Sequence, residues 1–412
     1  MINQTESLRI AYLTPEYVTE PKFDGGLANY LARITPFLHE HGHHPEVFVL
    51  SNRNESLEHN GVIVHRVKGV VATSAQVIHR IIKRAVKLRF DSTVQMRSGA
   101  RCLATRLLQR HREHPFDIVQ GSDYGATGLY IPRGRDFPFV TRLSYFRPFM
   151  RECAGVASTV DHRIAEHLER SSVQRSDICY GPSRRIAEVV RQRWNMPVEI
   201  IRPPVQILNG DRPEDESVFR EQIGGKNYVL FFGRVCRVKG ADLLASIMRP
   251  LLEEDESLHL VLVGREQPEG IVEKNRAELG PYANRLIHIG RLPHPQLFPV
   301  IRHAKAVLLP SRIDNFPNVC IEAMQVGQVV IGTREASFDE LIVDGENGFL
   351  GSTESIPSLT AAVRRALNLS PTQHSQFGDA ARRTLQAFVP EVTIPALCDF
   401  YRTVIARRSS RN

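Results

Sequence analysis

The chain has 412 residues, 42% of them hydrophobic and 24% charged, with a formal net charge of +8. At roughly 100 to 200 residues per domain this length predicts two domains, and no apolar run is long enough for a helix to cross a bilayer. Met1 to Ser7 lacks the basic-then-apolar pattern of a signal peptide, and the six cysteines show neither metal-finger spacing nor a disulfide framework, so a cytosolic protein with anionic partners is expected.

Leu8 to Thr14 reads as a first strand, and Gly25-Gly26 precedes a helix with apolar residues at Leu27, Tyr30, Leu31, Ile34 and Leu38. Glycines at such a junction let the backbone approach an anion, which makes this stretch a phosphate-cradle candidate or an ordinary turn. His39, His41, His43 and His44 lack a carboxylate-rich partner segment and read as cations near the helix C-terminus. Pro45 to Leu50 and Gly61 to Val67 continue as strands, and the alternation predicts a parallel sheet.

From Val77 to Arg112 the chain is strongly basic, with an apolar stripe at Val77, Ile78, Ile81, Ile82, Ala85 and Val86. A solvated face, an anionic membrane surface and a phosphorylated acceptor all suit that pattern. Nucleic acid is not expected, because the stretch has no aromatics to stack on bases. Phe116 to Gln120 and Phe137 to Leu143 are further strands, and Ser144-Tyr-Phe-Arg147 forms a polar mouth where open α/β sheets place ligands. A helix from Ile164 to Ser172, a strand from Asp177 to Ser183 with Ser183 as the next helix cap, and Val198 to Ile201 complete the first sheet.

Arg202 to Val205 and the polar run Asn209 to Glu216 mark the domain boundary. A second alternation follows: strand Tyr228 to Phe232, loop Gly233 to Gly240, helix Ala241 to Met248, strands Leu258 to Val263 and Leu286 to Ile289, and loop Gly290 to His294. Arg234 and Lys239 project from a strand end, where two cations suit a departing diphosphate. Strand Ala306 to Pro310 leads to a loop with Asp314 and a helix with Glu322, and Pro317 suits its first position. A helix start with first-turn amides at Asn318 and Val319, flanked by two carboxylates, suits a sugar nucleotide. Strand Val329 to Thr333, turn Asp344 to Gly348 and a mainly helical remainder from Ile356 to Arg408 close the chain.

In this order the pieces resemble glycosyltransferase family 4 over nearly the whole chain. Gly233-Arg-Val-Cys-Arg-Val-Lys-Gly240 is similar to that family's G-R-x-x-x-x-K-G loop, Pro310 to Gly327 to its paired-acid motif, and Asp344-Gly-Glu-Asn-Gly348 to its D-G-x-N-G turn. The resemblance implies a retaining transferase of the GT-B fold, α/β, with two Rossmann-like domains facing each other across a cleft. These are residues 1–203 on the acceptor side and 204–390 for the nucleotide sugar, with 391–412 as a helix crossing back to the first domain.

It further implies that Arg234, Lys239 and Asp314 are catalytic, the cations on the diphosphate and Asp314 on sugar hydroxyls. Substrate contacts are expected from Gly25, Gly26, Ser144 (or Arg142), Arg291, Asn315, Phe316, Asn318, Val319 and Glu322, with Glu322 on the ribose and Arg291 beside the base. Three departures bear on chemistry: Asp314 stands where the family commonly has Glu, Pro317 removes one N–H, and Arg142-Leu-Ser144 stands at the strand end where many relatives carry a histidine.

No Asp-x-Asp occurs anywhere in the sequence, which agrees with a metal-independent reaction without a cofactor. The expectation is hexosyl transfer from a UDP-sugar, with GDP-mannose next, to an acceptor that is lipid-linked, a polysaccharide or a small molecule. The alternatives are a non-catalytic nucleotide-sugar-binding protein docking on anionic membrane through Val77 to Arg112, and an epimerase acting on a nucleotide sugar.

Overall fold

A computed structural model describes residues 7–21, 26–69, 90–207 and 214–410. It divides into two compact units, residues 1–151, 157–204 and 390–412 forming the first, and 152–156 with 205–389 the second.

Unit 1 is built on an eight-stranded sheet, β1 (Arg9–Thr14), β2 (His44–Ser51), β3 (Glu55–His59), β4 (Val62–Lys68), β5 (Ile118–Ser122), β6 (Phe139–Arg142), β7 (Ile178–Gly181) and β8 (Val198–Ile200). The order is β3-β4-β2-β1-β5-β6-β7-β8. Alternation along β1 supplies both faces. Ile10 and Tyr12 pack with Leu27, Leu31 and Ile34 of α1 (Gly26–Glu40). Ala11 and Leu13 pack with Leu103 and Leu107 of α2 (Asp91–Glu113). α3 (Arg147–Ala154), α4 (Val160–Val173) and α5 (Arg184–Trp194) follow, the last capped by Ser183, whose hydroxyl accepts from the Ile186 amide.

Three features of unit 1 differ from the sequence reading. β3 pairs antiparallel with β4 at the sheet edge and was not expected, because Glu-Ser-Leu-Glu-His is too polar to read as a strand. His43 is not a solvated cation near a helix end: it is buried, its Nδ1 accepts from the Leu8 amide at 3.1 Å, and burial lowers its pKa. The basic run is also not one free face. Residues 77–89 lie outside the described residues, and in α2 the guanidinium of Arg110 is bound to Glu46 at 2.9 and 3.1 Å, while Arg97 and Arg101 are exposed.

The last helix, Pro390–Ser409, belongs to unit 1. Its Ile394, Leu397, Tyr401 and Val404 join the cluster formed by α1 and β1. The hydroxyls of Tyr401 and Tyr180 both donate to the buried Oε1 of Gln120 on β5, and Arg408 reaches Asp177 at 3.0 Å.

Unit 2 has a parallel six-stranded sheet of order β11-β10-β9-β12-β13-β14. Its strands are β9 (Asn227–Phe232), β10 (Leu258–Val263), β11 (Leu286–Ile289), β12 (Ala306–Leu308), β13 (Val330–Thr333) and β14 (Phe349–Gly351). β9 again feeds two layers. Val229 and Phe231 pack with α6 (Leu244–Glu254) and α7 (Ile271–Leu279), and Leu230 and Phe232 with α8 (His294–Arg302) and α9 (Asn318–Gln325). Buried residues of this size each contribute on the order of 1.5–3 kcal/mol. In each unit the strand order reverses beside the first strand, at β1/β5 and at β9/β12, and the crevice outside the carboxyl ends at such a reversal is where doubly wound sheets take ligands. Among the described residues, no helix is long and apolar enough to cross a membrane.

Candidate functional site

At the reversal of unit 2, the loop after β9 and the loop after β12 are tied backbone to backbone. The Arg312 amide donates to the Val238 carbonyl at 2.9 Å, and the Arg312 guanidinium grips Asp242 at 2.6 and 2.9 Å. Gly240 has φ +70°, and a Cβ there would lie 1.8 Å from the Pro310 carbonyl oxygen. Only glycine lets these two loops approach so closely.

That approach brings Lys239 to Asp314, and the ammonium and carboxylate form an ion pair. The Asp314 loop is fixed from behind. Ile313 and Phe316 are buried, and the Ser337 hydroxyl donates to the Asp314 carbonyl at 2.7 Å. Phe316 packs in the core against Phe388, ring centroids 5.4 Å apart, so its place is beneath the loop. Asn315 is half-buried beside it.

Gly233 packs on the first turn of α9, where a Cβ would lie 3.2 Å from Val319. Arg234 follows it and is exposed, with no ion pair among the described residues. Pro317 is the capping residue of α9 rather than its first helical residue: φ −74° and ψ 97° leave it outside, and its carbonyl accepts from the Cys320 amide at 3.0 Å. The helix therefore opens at Asn318, which places the amides of Asn318 and Val319 in its first turn. Glu322, four residues after Asn318 and so on the same face, approaches His294 at 3.6 Å. Arg291 is exposed in the segment between β11 and α8.

The structure thus brings Lys239, Asp314, Asn318, Val319 and Glu322 to one reversal. Ser144 belongs to unit 1, where its hydroxyl accepts from Arg142 at 2.7 Å, and Arg142 is itself buried over the Tyr30 ring at 3.9 Å. Gly26 is the first residue of α1, and Gly25 lies outside the described residues. Sequence reasoning missed His294, Asp123 and Glu169. The last two are buried in unit 1, and their partners at Tyr145 and Arg147 lie 22 residues away in each case, so no local spacing pointed to them.

Two doubly wound units with this loop order define a GT-B glycosyltransferase. The family described as "Glycosyltransferase Family 4" matches residues 24–207, and "Glycosyl transferases group 1" matches residues 213–384. The chain belongs to glycosyltransferase family 4.

It is 29% identical to a D-inositol 3-phosphate glycosyltransferase of Catenulispora acidiphila over 70% of this chain and 73% of that one. It is 28% identical to the D-inositol 3-phosphate glycosyltransferase of Segniliparus rotundus over 49% of this chain, spanning 46% of that relative's length. Among solved structures, Anabaena Alr3699/HepE in complex with UDP and glucose has the same fold, with TM-score 0.67 at 16% identity over 96% of this chain and all of that one.

Proposed function

We propose that the protein transfers a hexosyl group from a UDP-sugar to an acceptor hydroxyl with retention of configuration and without a metal. Unit 2 holds the donor. Arg234 and Lys239 face the diphosphate, the first-turn amides of α9 add to them, Glu322 takes the ribose, and Asp314 takes sugar hydroxyls. The observation that carries this reading is the meeting of Lys239, Asp314 and the start of α9 at one sheet reversal. UDP is favoured because HepE, on the same fold, holds UDP and glucose.

In the step itself the acceptor oxygen bonds to the anomeric carbon on the face from which the diphosphate departs. The anomeric carbon–oxygen bond breaks with its electron pair going to the diphosphate, and the acceptor's proton passes to a phosphate oxygen. Cations fixed where this negative charge develops lower the barrier without a dedicated base.

Incubation with UDP-glucose, GDP-mannose and related donors in EDTA tests the proposal. Release of UDP by the wild-type protein, and its loss in Lys239→Ala, is expected. Binding without turnover of any donor, or strict dependence on added magnesium, would refute it.

A further inference from the structure

Among the described residues, four that are not glycine have a positive φ, and two of these are asparagines, Asn60 and Asn195, which tolerate it well. Ser337, at φ +61° and ψ 12°, is not of that type, and it is fully buried in unit 2. It stands where the chain leaves β13 for a single turn at Phe338–Glu340, between the buried Ala336 and Phe338. Phe338 packs so closely on Gly332 that a Cβ there would lie 2.5 Å from its ring. The turn is thus held from beneath, and glycine would be the unstrained choice at its left-handed position.

What serine adds there is a hydroxyl. Its Oγ donates to the Asp314 carbonyl at 2.7 Å, and four residues earlier the Thr333 hydroxyl donates to the Ser311 carbonyl at 2.5 Å. Two side chains at the end of β13 therefore hold the loop after β12 by its backbone. From another side Arg312 fastens the same loop to Val238 and Asp242. Between these fastenings the Asp314 carboxylate meets Lys239. Backbone strain at a buried position persists only where its surroundings over-determine it, and it gathers beside ligand clamps. A carboxylate that selects hydroxyls must be held within about 0.5 Å of its working place, which a loop secures only through such supports.

We propose that Ser337 is a positioning residue of the donor-sugar pocket. Its hydroxyl fixes the place of Asp314, and so sets the share of donor recognition that comes from the transferred sugar and not from the nucleotide. The inference rests on the transferase reading above and adds to it a residue that, being fully buried, cannot touch the donor itself. Arg234, Lys239, the first-turn amides of α9 and Glu322 reach the nucleotide without this bond, so UDP alone should not sense its loss.

The test is steady-state release of UDP from UDP-glucose, UDP-galactose and UDP-N-acetylglucosamine by Ser337→Gly and Ser337→Ala, with UDP as product inhibitor and a melting curve on each sample. Both variants lose the hydroxyl, but glycine relieves the left-handed strain while alanine keeps it. Ser337→Gly should therefore melt above Ser337→Ala and within about 4 °C of the wild type. Both should lower kcat/KM on the best wild-type donor at least about fivefold, with the inhibition constant of UDP unchanged within about twofold.

Several results would overturn the role: wild-type kcat/KM in both variants, a loss confined to Ser337→Ala, a proportionate weakening of UDP, or a glycine variant that melts no higher than the alanine one. Each would assign Ser337 to the fold alone. Release of UDP from none of the three donors by the wild-type protein would instead overturn the transferase reading on which the inference rests, so the two failures are separable.

Discussion

Lys239 and Asp314, 75 residues apart in the chain, form an ion pair at the sheet reversal of unit 2, with side chains 21% and 12% exposed. The proposed leaving-group cation and the proposed sugar-binding carboxylate are therefore engaged with each other. Lys239→Ala should lower kcat at least about tenfold and also weaken donor binding, because it leaves Asp314 uncompensated beside the diphosphate. Asp314→Asn should keep or tighten UDP affinity while raising KM for the UDP-sugar. Steady-state kinetics alongside UDP titration checks both, and equal effects of the two substitutions on UDP and UDP-sugar would count against the assignment.

Arg234 differs from Lys239 in having no ion pair among the described residues and an exposed side chain. Arg234→Ala should therefore cost at least about tenfold in kcat with no change in thermal midpoint. A melting curve and a rate measurement on the same sample suffice. A stability loss with normal turnover would assign the residue to the fold.

Gly240 and Gly42 both have positive φ, +70° and +83°, but only Gly240 faces a neighbour within 4 Å, the Pro310 carbonyl at 1.8 Å. Gly42→Ala should cost about 1 kcal/mol of backbone strain and leave donor binding intact. Gly240→Ala should cost more and also weaken UDP binding, since the loop carrying Lys239 must move off the Pro310 backbone. Comparable UDP affinities in the two variants would contradict the packing argument.

Glu46 is nearly buried and bonded to His65 at 2.8 Å and to Arg110 at 2.9 and 3.1 Å. Although burial raises its pKa, these partners win and hold it at about 2, against an ordinary value of 4.5. Its folded pKa is depressed, so its contribution, at most about 3 kcal/mol, is present above pH 4.5 and lost as pH falls towards 2. Glu169 has the opposite sign: its pKa is raised to about 7, so its effect on stability becomes unfavourable as pH rises from 4.5 through 7. Urea unfolding across pH should show Glu46→Gln flattening the acid limb and Glu169→Gln flattening the neutral one. An unchanged acid limb in Glu46→Gln would show that the pair does not govern acid unfolding.

Much of this was readable from the residues. Strands buried on both faces, such as Tyr228 to Phe232 and Leu258 to Val263, are continuous apolar runs and announce a parallel sheet. Gly240, Lys239 and Asp314 stand at spacings the family shares, so their loops were legible before any coordinates. Pairings set by tertiary approach were not. Arg312 with Asp242, Arg147 with Glu169 and His294 with Glu322 join residues at least 22 positions apart, and nothing in local periodicity selects one carboxylate among many. Phe316 shows the converse: a loop position next to the paired acids turned out to be a core anchor, because an aromatic in a short loop gains more from burial than from exposure.

The helix from Pro390 to Ser409 seals a core whose first strand begins at Arg9, through Tyr401 and Gln120. During synthesis the amino-terminal unit must wait with that apolar seam uncovered until residues 390–409 have left the ribosome, whereas residues 205–389 can close their own sheet earlier. The unit begun first is thus completed after the one that follows it, and its nascent form keeps apolar surface uncovered for longer.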